Sequence, residues 1–136
     1  MTLDKVDTLK LDKDCNVARS WLKGYIKTII QICLIHGIEV ISIDKGQSKC
    51  KGFHLYIKIY PAIEASHANY LQWILGDDCQ RVDFNRARIN VGFNDWNKIF
   101  PPLGRRIRTI YHSSKSCVFN LQQPLTRKTS FEHLDN

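Results

Sequence analysis

Asp12 and Asp14 stand two residues apart in TLKLDKD, residues 8–14. If that stretch is a strand, side chains alternate, so both carboxylates project to one side, about 7 Å apart along the backbone. Such hard oxygen ligands suit Mg2+ or Mn2+, and two such ions about 3.5–4 Å apart stabilise the attacking and leaving oxygens of phosphoryl transfer. The same pattern is also what the exposed side of a strand end presents. A second group lies in SKCKGFHLYIKI, residues 48–59, where Ser48, Lys51 and Gly52 lead into a strand bearing His54. A glycine there would let a nucleotide phosphate approach the backbone, with Lys51 and the imidazole as donors. A plain hairpin loop has the same composition.

These groups need elements to hold them. Leu9 and Leu11 alternate with Lys10 and Asp12, as a half-buried strand requires. Asn16 can cap a helix over 17–36, in which Val17, Trp21, Tyr25, Ile29 and Cys33 recur every four residues and Ala18, Leu22 and Ile26 widen the apolar face. Gly37 supplies its stop. IEVISID, a polar turn at 45–51 and GFHLYIKIY then read as strand, turn, strand. In the second of these Phe53, Leu55, Ile57 and Ile59 share one face, while His54, Tyr56, Lys58 and Tyr60 share the other, which is expected to be open. Pro61 should end that strand. Residues 65–75 suit a short helix stopped at Gly76, Asp77 or Asp78 can cap another over 79–90, and RIRTIY at 106–111 reads as a last strand.

The resulting order, β-α-β-β-α-β with an extra helical insertion before the last strand, predicts an α+β fold. Its core is the ferredoxin-like or RRM-like split β-α-β arrangement, with the helices on one sheet face. There the first and third strands are neighbours at the centre, so Asp12 and Asp14 fall beside His54. Residues 1–111 form one domain in this reading, and 112–136 a polar basic tail or edge extension in which CVFNL, 117–121, adds a strand or docks.

At these residues the sequence resembles the archaeo-eukaryotic primase superfamily, which includes plasmid and viral primase-polymerases and the polymerase domain of bacterial end-joining ligases. Three motifs carry the resemblance, in the family's order. Leu11, Asp12, Lys13 and Asp14 match hydrophobic-D-x-D. Ser48, Lys51, Gly52, Phe53 and His54 match the string entering the histidine strand. Arg81, Val82 and Asp83, followed by Arg86 and Gly92, match a hydrophobic-D element. The resemblance implies that Asp12, Asp14 and Asp83 are catalytic and bind Mg2+ or Mn2+, and that Ser48, Lys51, Gly52, His54 and Arg86 meet a nucleoside triphosphate. It covers residues 9–98, and Asp77 or Asp78 competes with Asp83 for the third carboxylate.

Composition agrees with a nucleic-acid partner. Twenty Lys and Arg against thirteen Asp and Glu leave +7, and residues 105–136 alone carry +4. Arg88, Arg105, Arg106 and Arg108, with Lys58, are candidate phosphate contacts, and Tyr56 and Tyr60 candidate base-stacking residues. Trp96 could stack on a base or pack under a loop, whereas Trp21 and Trp73 fall at helical apolar positions expected in the core. Five cysteines without a C-x-x-C pair argue against a disulfide framework or zinc knuckle. No apolar run long enough for a membrane span and no signal-peptide pattern are present, so a cytoplasmic protein is expected. Two functions follow: a metal-dependent nucleotidyltransferase of primase-polymerase type in replication or repair, or a non-catalytic nucleic-acid-binding accessory domain, either one acting beside replication proteins.

Overall fold

The computed structural model describes residues 3–48, 52–99 and 107–113. Lys51, Arg105, Arg106 and the segment 117–121 lie outside them. The protein is α+β: β1 (Val6–Lys13), α1 (Arg19–Ile35), β2 (Glu39–Gln47), β3 (Phe53–Ile63), α2 (Ala65–Ile74), α3 (Cys79–Asn90) and β4 (Ile107–His112). The four strands form one sheet in the order β1-β3-β2-β4. Every neighbouring pair is antiparallel, so β1 and β2 run parallel with β3 between them, a split β-α-β unit. β4 pairs with β2, where a ferredoxin-like order would put it beside β1. β1 is therefore an edge strand, not a central one.

Alternation along the strands builds the core. Leu9 and Leu11 of β1, Ile43 of β2 and Phe53, Leu55, Ile57 and Ile59 of β3 are buried, together with Leu22, Ile26, Ile29 and Cys33 of α1. Those four helical positions lie on one stripe. At 3.6 residues per turn a repeat of exactly four drifts around the helix, so Trp21 falls about 100° off that stripe. Trp21 is consequently 48% exposed and Trp73 of α2 52% exposed, against the expectation that both anchor the core. Trp96, in the loop after α3, is the buried tryptophan, at 2%.

Three local expectations are corrected. α1 starts from Ala18 without a side-chain cap, not from Asn16. β3 runs through Pro61 to Ile63, because β1 pairs with it at Lys58 and again at Ile63 and the irregular span between asks Pro61 for no ladder N–H. The face bearing His54 is open only in part: Lys58 and Tyr60 are exposed, Tyr56 is half-buried and His54 is 4% exposed. α3 has the expected bounds, with Asp78 accepting from the Gln80 N–H as its N-cap. No helix among the described residues is long and apolar enough to cross a membrane.

Candidate functional site

β1 reaches the sheet edge with outward-facing backbone groups, and an uncovered edge invites pairing with another strand. Here side chains cover its middle. The Lys10 N–H donates to Gln72 Oε1 (3.0 Å), the Asp12 N–H to Asp77 Oδ1 (2.9 Å), and Arg81 Nη1 donates to the Lys10 carbonyl (3.0 Å). Arg81 also pairs with Asp77 Oδ2 at 2.6 Å and donates through Nε to the Lys98 carbonyl. Asn97 Oδ1 accepts from Arg81 and Gln72, and Asn97 Nδ2 donates to Gln72 Oε1. Burial raises the Asp77 pKa, opposed by Arg81 and by the N–H groups of Asp12 and Asp78. This network fixes α2, α3 and the 92–99 loop to the strand that carries Asp12.

Beside it opens a cavity of about 520 Å³. Asp12 and Lys10 of β1, His54 of β3, Asp78, Gln80, Arg81, Phe84 and Arg88 of the α3 region, and Asp95, Lys98 and Ile99 of the loop line it. Asp12 and His54 face each other in the β1–β3 register, and His54 Nε2 lies 3.4 Å from Asp12 Oδ1. An ionised carboxylate only accepts, so Nε2 carries the proton toward Asp12, and Nδ1 faces the Tyr56 hydroxyl at 3.5 Å as an acceptor. Burial pushes the His54 pKa down, opposed by Asp12, which favours this neutral form. Burial likewise raises the pKa of Asp12, opposed by His54 and reinforced by Asp14 and Asp78, and raises that of Tyr56. Lys10 is held low by burial and by Arg81. Phe84, 60% exposed, supports Arg88, whose guanidinium carbon is 5.9 Å from the ring centroid.

The expected residues divide sharply. Asp12, His54 and Arg88 share the cavity. Asp14 is exposed just beyond β1, near enough for its charge to act on Asp12. Asp83 is not on the cavity; it is exposed on α3, paired with Arg86 at 3.1 Å. Asp78 lines the cavity in its stead. Ser48 donates its N–H to the Gly52 carbonyl in the hairpin. At Gly52 a Cβ would lie 1.6 Å from the Lys13 carbonyl oxygen, so its smallness is what admits β1. Lys58 is exposed on β3, and Arg108 is exposed on β4 opposite Lys45.

Lys10, Gln80, Phe84, Asp95, Lys98 and Ile99 are cavity residues that the motifs did not single out, while Arg81 and Asp78 entered only beside Asp83. Phe84 left one signal, an aromatic side chain within the polar helix CQRVDFNRARIN. Among the described residues no three His, Cys, Asp or Glu side chains converge as a metal-binding group. Comparison with protein-family models, with curated proteins and with solved structures finds no match.

Proposed function

We propose that the protein is a metal-dependent nucleotidyltransferase of primase-polymerase type, built on a split β-α-β core, and that nucleoside triphosphate enters the Asp12–His54 cavity. The observation that carries the reading is the pairing of Asp12 with His54 across β1 and β3, opening on a cavity that also holds Asp78, Lys10 and Arg88. Asp12 and Asp78 supply hard oxygen donors, and Mg2+ characteristically binds through one or two carboxylates plus substrate phosphates, without a dedicated protein cage. The donor set fits Mg2+ or Mn2+ on that chemistry. The bound ion would acidify the attacking 3′-hydroxyl and neutralise the triphosphate.

The chain's own residues position the reactants. Neutral His54, held from behind by Tyr56, donates to Asp12 and fixes the direction of that carboxylate. Lys10 and Arg88 meet phosphate oxygens, and Phe84 offers a face for the base. The 3′-hydroxyl gives its proton to water, its oxygen attacks the α-phosphorus, the α–β bridging bond breaks, and pyrophosphate leaves with the bond's electron pair. Fixed charges supply the stabilisation as charge develops.

A second reading, the non-catalytic nucleic-acid-binding accessory domain, draws on the position of Asp83 outside the cavity. Incorporation of labelled nucleotide on single-stranded and primed templates with Mg2+ or Mn2+ separates the two. Asp12→Asn is expected to lower incorporation by ~10²–10³-fold while the protein stays folded, with Asp78→Asn close behind. A folded wild-type chain that binds templates in a salt-dependent way yet incorporates nothing establishes the accessory reading.

A further inference from the structure

We infer that His36 and His67 form a second metal site, for a single divalent ion of the Zn2+, Ni2+ or Cu2+ class, separate from the hard-oxygen cavity. His36 is the C-cap residue of α1 and His67 stands in the first turn of α2. The fold brings them together across 31 residues, with His67 Nε2 3.4 Å from His36 Nδ1 and ring centroids 5.5 Å apart. Both rings are half-buried, and Tyr70 stands edge-on to His36 with centroids 6.3 Å apart, which restricts that ring.

The separation itself is informative. At 3.4 Å one neutral ring can donate to the other when no ion is bound. The same spacing suits a shared ion, because two imidazole nitrogens each about 2.0–2.1 Å from one tetrahedral ion lie about 3.3–3.4 Å apart. Imidazole selects zinc, nickel and copper and disfavours magnesium, so the pair differs in metal class from Asp12 and Asp78. Neither histidine belongs to the nucleotide cavity, and the proposal stands without it. A metal there clips the end of α1 to the start of α2 and stabilises the folded chain by mass action.

The test is titration of the full chain at pH 7.5 with Zn2+ or Ni2+, with Mg2+ as control, followed by calorimetry and thermal unfolding. One ion is expected to bind per chain and to raise Tm by ~5–10 °C at about a hundredfold excess over Kd. His36→Asn and His67→Gln should each abolish the shift, whereas replacing the exposed Cys15 and Cys79 by serine should leave it. Should either histidine variant misfold, imidazole NMR of wild type decides: Zn2+ must move two of the five histidines. A shift that survives in both variants, resonances that move together in all five rings, binding that requires two chains, or no Zn2+ or Ni2+ binding at submillimolar concentration overturns the inference.

Discussion

Two acid–arginine pairs flank the start and middle of α3, and they live in different media. Asp77 and Arg81 meet at 2.6 Å with side chains 0% and 8% exposed; Asp83 and Arg86 meet at 3.1 Å with side chains 71% and 64% exposed. The chemical groups are the same. The inner pair is bound to the β1 backbone, to Lys98 and to Asn97, so all three guanidinium nitrogens and both carboxylate oxygens have partners. The outer pair is closed by one contact in water, where Coulomb attraction is weak and side-chain entropy opposes it. The inner pair is architecture that presents Asp12 to the cavity; the outer pair is surface.

Breaking the inner pair should have the largest effect. Arg81→Met leaves the Asp77 carboxylate buried without its counter-charge and frees the Lys10 carbonyl, at a cost of about 3–5 kcal/mol in urea unfolding. Combining it with Asp77→Asn should recover part of that loss, because the stranded charge is gone. A single variant as stable as wild type would reduce the two pairs to equivalents. One step smaller is Gln72→Leu, which deprives the Lys10 N–H and Asn97 Nδ2 of their acceptor. It should cost about 1–3 kcal/mol. Amide exchange at Lys10 should speed up in the same variant, which locates the damage at the β1 edge.

His54 stands between the two regimes, 4% exposed but next to the open cavity. Its folded pKa is below the ordinary 6.5, with burial as the chief cause. In the window from that lowered value up to about 6.5 the unfolded chain binds the extra proton and the folded chain does not. Stability therefore rises with pH through the window, and on acidification it falls through the same window and levels off below it. Asp12 has the opposite sign: its raised pKa gives a gain as pH falls through the folded value toward 3.8. Tm measured from pH 5 to 7.5 should decline toward the acid end in wild type and be flatter in His54→Gln. Equal slopes would mean that His54 is not held neutral by its surroundings.

Periodicity made the secondary structure legible. The alternation of Leu9, Leu11, Phe53 and Leu55 set both strands and their buried face, and the juxtaposition of Asp12 with His54 follows from that register. What stayed hidden depends on the third dimension. Nothing in the string distinguishes an edge β1 from a central one, since Leu9 and Leu11 are buried in either position. Asp77, Asp78 and Asp83 are three carboxylates within seven residues, and only the path of the chain into α3 decides that the first is buried, the second caps the helix beside the cavity, and the third faces water. Gly52 likewise gives no sign in the sequence that β1 fills the side a Cβ would take. Trp21 misled because spacing by four is near enough to a helical turn to resemble a stripe while drifting off it.

The smallest expected effect is the most discriminating for the motif reading. Asp83→Asn removes one partner of an exposed pair three residues apart on the helix, where such contacts contribute about 0–0.5 kcal/mol. Its unfolding midpoint should coincide with that of wild type within error, and the variant has no route to the cavity through a shared hydrogen bond. If Asp78 supplies the carboxylate next to Asp12, nucleotide incorporation by Asp83→Asn should stay within about twofold of wild type, while Asp78→Asn loses most of it. A variant at Asp83 that keeps full stability and yet loses incorporation more than tenfold would reverse the assignment: α3 would have to turn its outer face to the substrate, and the exposed pair, not the buried one, would define the site.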